Sequence, residues 1–585
     1  MEAKKTSLNE IFLSNRTLKV PYFQRPYVWK TENWEKFYND IAQIALDNRN
    51  IKEGDKPKTY FIGSIILKQA GFDNTQVYEV IDGQQRLTTT VIFMKALFLR
   101  INRNDLFNRQ FMQESLLDEN KPILVPGHND SVTYGKLIDQ EILTTKELNN
   151  STMAKAYSYF ADRIIKSDNH EDEDFPVNAR ELYAAVVNSV RLICIYLEQN
   201  EDAQKIFETI NCTGIRLTTG EMLKNYLYDE HHVENYERTW KNVFEGINQS
   251  YWNDDIVLGR LESNHIKNFF YRYMLIKMQD EEIKKNLTQS EIKSYRKQDG
   301  LFEKFKSLIE KCKLTKGAMI EDVVNYAKLY METFKKEVLD EAMPKCLGIE
   351  RLVGLMYASD AWTMTPYILY VLKSQTDGDE RKKLFGYMET YLVRRIFCKS
   401  SNNNYSDMFS ENLIGQHVNT YEGFKSYVNN VEARGALLMP SDDDVRTALM
   451  SKDLKRNASV LLYMLESRIN DNFENNDKYS NGYTSFIIEQ VMPEKGNDEW
   501  ISDHSYTDED RQRLARTLGN FILLRDKLKA ADKKGNWTKK KAAMSTKVDD
   551  IKTSVAARDF ALWNEKTIEE RNKQFANWAI KAWSI

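Results

Sequence analysis

From Asn33 to Leu46 the apolar residues Trp34, Phe37, Ile41 and Ile44 recur every three or four positions among polar ones, the spacing of a helix with one buried face. Two β-rich runs follow, Tyr60 to Leu67 and Val77 to Ile81, separated by the turn-forming stretch Gly71, Phe72, Asp73 and Asn74, and this pattern predicts a hairpin. The second run stops at Asp82-Gly83. From Leu87 the period changes, and Leu87, Val91, Met94 and Phe98 fall on one face of a new helix. A strand therefore feeds a glycine turn and then a helix N-terminus.

Further on, Ile206, Phe207 and Ile210 end a helix at Asn211, Thr213-Gly214 turns the chain, and Thr218-x-x-Glu221 forms a capping box for the helix of Met222, Leu223 and Tyr226. This closes a first domain, 1–230. Residues 231–435 read as a long, aromatic, helical middle region without a fixed-period repeat. Two polar stretches, Lys399 to Asn404 and Pro440 to Asp444, bracket the border of a last domain, 436–585. That domain holds a helix through Leu454 to Leu465, a polar loop from Asp471 to Asn481, and the apolar run Phe486-Ile487-Ile488 ahead of Glu489-Gln490-Val491-Met492-Pro493. It ends on a helix that Thr567-x-x-Glu570 caps and whose Phe575, Trp578, Ala579 and Trp583 make an apolar stripe for the core. The expected fold class is α+β and multidomain.

Composition narrows the class. A chain of 585 residues is too long for one core. With 42% hydrophobic and 29% charged residues, 23 Gly and 10 Pro, collagen-like, proline-rich and acidic disordered classes are excluded. Lys and Arg number 83 against 86 Asp and Glu, so any contact with nucleic acid must come from local clustering. The five cysteines, Cys194, Cys212, Cys312, Cys346 and Cys398, have no C-x-x-C spacing, which fits a reduced protein. MEAKKTSLNE lacks the apolar core of a signal peptide, and no run approaches the ~18 apolar residues of a membrane helix. The expectation is a cytoplasmic protein with no membrane contact.

Chemistry concentrates at Asp82-Gly83-Gln84-Gln85-Arg86. A helix N-terminus presents unpaired N–H groups and the positive end of the macrodipole, so an anion such as phosphate is held there by backbone and a nearby Arg together. Gly83 lets the backbone approach closely, Arg86 can grip two phosphate oxygens, Asp82 can hold a metal or take a proton, and Gln84 and Gln85 can orient water. The competing reading is a tight turn in which Asp82 caps the helix. Upstream, Pro21-Tyr22-Phe23-Gln24-Arg25-Pro26-Tyr27-Val28-Trp29 is stiffened by two prolines. Its aromatics Tyr22, Tyr27 and Trp29 pack on the sheet, while Gln24 and Arg25 fit equally a second anion clamp and a surface ion pair.

In order, P-Y-F-Q-R-P-Y-V-W, F-I-G-S-I-I-L, E-V-I-D-G-Q-Q-R-L-T-T and F-E-T-I-N-C-T-G-I-R-L-T strongly resemble the N-terminal domain of the GmrSD family of modification-dependent restriction proteins. The resemblance implies a ParB/sulfiredoxin-like domain that binds and hydrolyses a nucleoside triphosphate, GTP or another. On the family pattern Gln24, Arg25, Asp82, Gly83, Gln84, Gln85, Arg86, Asn211 and Gly214 converge on one nucleotide pocket. The last domain resembles the same family's HNH-like nuclease, a ββα-metal fold embedded in helices. Its pattern of an acidic residue and His before x-x-Pro, then L-G-N-x-x-L-L, then Asn falls on Glu489-Gln490-Val491-Met492-Pro493, on Leu518-Gly519-Asn520-Phe521-Ile522-Leu523-Leu524, and on Lys527-Leu528-Lys529. Such a nuclease uses one divalent ion, Mg²⁺ or Mn²⁺, here with Glu489 as the implied ligand, and a His to deprotonate water.

Two positions depart from that pattern. Gln490 stands at the base position and has no proton-accepting nitrogen near neutral pH. Lys529 stands at the metal-side Asn, where an ammonium repels a cation. Both point to an impaired nuclease, with Glu489, Gln490 and Asn520 as degenerate positions. His504, among Asp503, Asp508, Glu509 and Asp510, reads as a solvated loop histidine rather than a substitute base. Residues 525–547 hold nine basic residues against two acidic ones, with Trp537 among them, and Lys533, Lys534, Lys539, Lys540 and Lys541 are the expected contacts to a DNA backbone. The expected function is defence against foreign or modified DNA coupled to nucleotide turnover, with DNA, the nucleotide and a second copy of the chain in a homodimer as the expected partners. The alternative is a fully active, NTP-regulated endonuclease.

Overall fold

The hairpin expected between residues 60 and 81 forms the middle of a mixed six-stranded sheet in the computed structural model, which describes every residue except 1, 13–15, 22–23, 50, 52–55, 73–75, 114–120, 128–129, 140–150, 170, 173, 199–217, 229–232, 259–260, 431–436, 470–481, 496–499, 501–504, 529–534, 545–546 and 549–550. The chain divides into two compact units, Met1–Val233 and Glu234–Ile585.

In the first unit the strands are β1 (Glu2–Ser7), β2 (Arg16–Lys19), β3 (Tyr60–Phe72), β4 (Gln76–Asp82), β5 (Leu124–Val125) and β6 (Val190–Leu197). They lie in the order β1-β6-β3-β4-β2-β5. β3 pairs antiparallel with β4 and parallel with β6, and β4 pairs parallel with β2. Helices α1 (Thr31–Asn48), α2 (Gln84–Arg100), α3 (Thr152–Asp168) and α4 (Ala179–Ser189) pack on one another beside the sheet. Val190, Leu192 and Cys194 of β6 belong to this core, whereas Ile193 between them is 38% exposed, as the two-residue period of a strand requires. Phe37, Phe93 and Phe160 meet edge to face with centroids 5.2–5.9 Å apart. From Leu87 to Phe98 every residue of α2 is buried, so this helix runs through the core rather than along it. The capping box is present: Thr218 Oγ1 accepts from Glu221 N–H at 3.2 Å, opening α5 (Thr219–Leu227). The expected helix end at Ile206–Asn211 lies outside the described residues.

The second unit is mostly helical, with a hairpin of β7 (Asp255–Leu258) and β8 (Leu261–Asn264) that the sequence pattern did not reveal. The middle and last segments are joined by buried charge. Arg351 of α6 (Ile349–Ser359) pairs with Glu389 of α7 (Gly378–Phe397) at 2.9 Å, both 0% exposed. Glu389 also accepts from Trp583 Nε1 at 3.0 Å, and Arg394 of α7 donates to Trp583 O at 2.8 Å. Pro440 to Asp444 is a helix start, because Ser441 Oγ accepts from Asp444 N–H and opens α8 (Asp442–Ser451). One local expectation needs correction. The helix with the apolar stripe is α11 (Glu565–Ala582), following α9 (Ala458–Ile469) and α10 (Trp537–Met544), and its cap is Asn564, which accepts from Thr567 N–H. Thr567 therefore sits in the first turn. Phe575, Ala579 and Trp583 are buried as expected. Among the described residues no helix is long and apolar enough to cross a membrane.

Candidate functional site

The strand-to-helix junction of the first unit is built around Gly83, the residue before α2, whose φ of 92° lies in the left-handed region. A Cβ there would stand 2.4 Å from Ile65 Cγ2, so conformation and space both demand glycine. No side chain caps the 17-residue α2, which leaves its first N–H groups and its dipole facing the turn. Arg86, one turn in, runs back along β3, where Gly63 has no side chain to stop it; a Cβ there would lie 3.0 Å from Arg86 Nε. Its guanidinium donates through NH1 to Ser64 O at 2.6 Å and stands 3.7 Å from Asp82 Oδ2. Nε and NH2 donate to nothing among the described residues. The Arg86 and Asp82 side chains are 20% and 22% exposed, so this is a half-open pair with donors to spare.

The Gln24–Val28 segment is fastened against the same turn. Gln24 Nε2 donates to Ile81 O at 3.0 Å, and Gln84 Nε2 donates to Arg25 O at 3.0 Å. Gln85 Nε2 donates to Pro26 O at 3.1 Å while its Oε1 accepts from Val28 N–H at 2.9 Å, spanning the segment as a neighbouring strand would. Among the described residues the Gln85 amide donates once and accepts once, both to the backbone of the segment, whereas the Gln84 carbonyl oxygen takes no such bond. Tyr27 is buried with its hydroxyl 2.7 Å from Thr89 Oγ1 of α2, and Trp29 packs edge-on against Phe37 of α1, so these aromatics meet helices rather than the expected sheet, while Tyr22 lies outside the described residues. Gln24, Arg25, Asp82, Gly83, Gln84, Gln85 and Arg86 thus come together. Asn211 and Gly214 lie outside the described residues.

Sequence reasoning missed Asp130. It precedes a helix and looks like a cap, yet its Oδ2 accepts from Tyr27 N–H at 2.8 Å and holds the segment from outside. Burial pushes its carboxyl up to about 6.

The second site lies where β9 (Ile487–Gln490) pairs antiparallel with β10 (Phe521–Leu524), Glu489 opposite Ile522 and Gln490 opposite Phe521, with α10 following in the chain. Asn520 is fully buried and fully bonded. Its Nδ2 donates to Met492 O and Ala515 O, both at 2.8 Å, and its Oδ1 accepts from Met492 N–H at 2.8 Å and Trp563 Nε1 at 3.0 Å. Both donors and both lone pairs are taken, so Asn520 fastens the loop and cannot meet a substrate. Gln490 Nε2 donates to Ala515 O at 2.9 Å. Arg571, also missed in the sequence, lies wholly inside, donating to Phe521 O and Thr553 O at 3.1 Å, with its pKa lowered by burial to about 9.

Glu489 faces a cation of the protein itself. Lys540 Nζ lies 3.3 Å from its Oε1, with the two side chains 4% and 11% exposed. Lys540 is therefore not a surface lysine, contrary to its place among the expected DNA contacts. Lys539 is exposed, Lys541 donates to Phe560 O at 3.1 Å, and Lys533, Lys534, Lys529 and His504 lie outside the described residues. Among the described residues no three His, Cys, Asp or Glu side chains gather as a metal site. This donor set does not fit a divalent ion. The acids Asp508, Glu509 and Asp510 form the first turn of the helix Asp508–Ala515, where they favour its dipole.

A comparison with curated proteins gives no match. Comparison with protein families gives two matches. Residues 8–228, which hold the sheet and the Gly83 junction, match the GmrSD restriction endonuclease N-terminal domain. Residues 439–578, which hold the β9–β10 hairpin and α10, match the GmrSD restriction endonuclease C-terminal domain. With both ends matched in family order over more than half its length, the chain belongs to the GmrSD restriction endonuclease family.

Proposed function

We propose that this restriction-type defence protein binds and hydrolyses a nucleoside triphosphate in its first unit and couples that turnover to engagement of foreign or modified DNA in the cytoplasm. The observation that carries the reading is the Gly83 junction. An uncapped helix N-terminus and a guanidinium with two unused donor positions converge at a turn where a phosphate would meet N–H groups and Arg86 together. Arg25 and Gln24 flank it on a segment fixed by the hydrogen bonds of Gln84 and Gln85. In this reading Arg86 holds phosphate oxygens, Asp82 releases Arg86 to the ligand or accepts a proton, and the Gln84 carbonyl oxygen directs a water.

DNA enters as the substrate of the family. In this chain the second unit engages it without efficient cleavage, because Gln490 cannot take a proton from water and Glu489 is already paired. The test is incubation of the purified chain with each of the four nucleoside triphosphates, Mg²⁺ or Mn²⁺, and plain or modified DNA, scoring phosphate release and strand cleavage together. Phosphate release with intact DNA is the expected result. Absence of release with every nucleotide overturns the first half of the reading, and strand cleavage overturns the second.

A further inference from the structure

We infer that Lys540 is the resident cation of the β9–β10 site and that its ammonium, seated among three oxygen atoms, excludes a divalent metal from Glu489. The inference deepens the reading of the second unit as a non-cleaving DNA module and rests on it. Glu489 Oε1, Gln490 O and Val491 O converge on one point, the kind of oxygen cluster that a hard cation takes. Lys540 Nζ occupies that point, donating to them at 3.3, 2.9 and 2.8 Å. An ammonium has three hydrogens, and here each has an acceptor. The ring of Trp500 lies 5.8 Å from Nζ and adds a further attraction.

The lysine is delivered rigidly. It stands one turn into α10, with Lys540 N–H bonded to Asn536 O at 3.0 Å. Trp537 of the same helix packs on Trp563 with centroids 4.6 Å apart, and Trp563 in turn donates to Asn520 Oδ1. The carboxylate and the ammonium are thus held by one connected network, and neither side chain is solvated enough to exchange partners freely. A divalent ion would have to expel Lys540 from all three acceptors and then sit beside a buried positive charge. Among the described residues Asn520 offers no replacement ligand, since both of its amide hydrogens and both of its lone pairs already have partners.

The test is Mn²⁺ binding by the full chain without nucleotide, followed by the electron-paramagnetic signal of the free ion, in the parent, Glu489→Gln, Lys540→Gln and the double variant. The parent and Glu489→Gln are expected to bind the same number of Mn²⁺ ions. Lys540→Gln is expected to bind one more, which the double variant loses again. An ion lost from the parent on Glu489→Gln overturns the inference, as does a folded Lys540→Gln variant that gains none. Should Lys540→Gln fail to fold by circular dichroism, the comparison of parent with Glu489→Gln still decides. DNA affinity, measured separately by anisotropy, is expected to change less than twofold on adding EDTA, and a tenfold fall restored by Mn²⁺ would also count against a resident lysine. No DNA binding under any condition would defeat the DNA reading instead and leave the Mn²⁺ result to stand alone.

Discussion

Each unit of the molecule sets a cation beside a carboxylate, and the two pairs behave differently because of what surrounds them. Arg86 and Asp82 are 3.7 Å apart and about one-fifth exposed, and Arg86 donates through a single nitrogen among the described residues. Lys540 and Glu489 are 3.3 Å apart and nearly dry, with every ammonium hydrogen used. A partly exposed pair at this separation is held weakly, by about 0–1 kcal/mol, and its arginine is free to take a better anion. A buried pair is costly to break, since removing one partner strands the other charge. The same chemistry is therefore a binding site in one place and a fastening in the other.

The sharpest way to break this comparison is to remove the cation on each side. Lys540→Met leaves Glu489 buried without its counter-charge and should lower stability by ~3–5 kcal/mol in denaturant unfolding, whereas Arg86→Met should cost less than about 1 kcal/mol. Equal losses would show that the two pairs are of one kind. The next largest effect is expected at the turn itself. Gly83→Ala must hold φ near 92° and fit a Cβ 2.4 Å from Ile65 Cγ2, and the added strain and overpacking should cost ~2–4 kcal/mol of stability. A thermal midpoint matching the parent's would show that the turn tolerates a side chain.

On the binding side, Arg86→Ala should weaken nucleotide affinity by ~1.5–3 kcal/mol, read by titration calorimetry, while the thermal midpoint barely moves. An unaltered affinity would remove the arginine from the site. Asp130 sharpens the same comparison through pH. Its folded carboxyl titrates at about 6 against an ordinary 3.8, so the folded chain holds that proton more tightly than the unfolded chain. The resulting stability is complete below about pH 4 and is lost as pH rises through about 6. Asp130→Asn keeps an oxygen for Tyr27 N–H and should be ~1–3 kcal/mol more stable than the parent near pH 8, the two converging near pH 4. A constant difference across that range would place the cause elsewhere. The smallest effect is expected from Lys539→Glu, which should flatten the slope of log DNA affinity against log salt by ~0.9, with Lys540→Gln as the buried control that leaves the slope alone.

The local parts of this protein were legible because they obey short-range rules. The period change at Asp82-Gly83 located a strand, a turn and a helix start, and Thr218-x-x-Glu221 located a cap, because strand alternation, left-handed glycine and N-cap bonding all act within a few residues. Ordered motifs pointed to the family for the same reason. Contacts across long separations were hidden. Nothing in a run of lysines says which one faces inward; Lys540 is buried because α10 turns that position toward the end of β9, fifty residues back, while Lys539 beside it faces solvent. Nor does the sequence say that Asp130 will bond Tyr27 or that Gln85 will lie along Pro26 and Val28. The chain's own pattern decided which segments are strands, turns and helices. Only tertiary packing decided which charges meet water, and with that whether a cation beside a carboxylate receives a ligand or locks the fold.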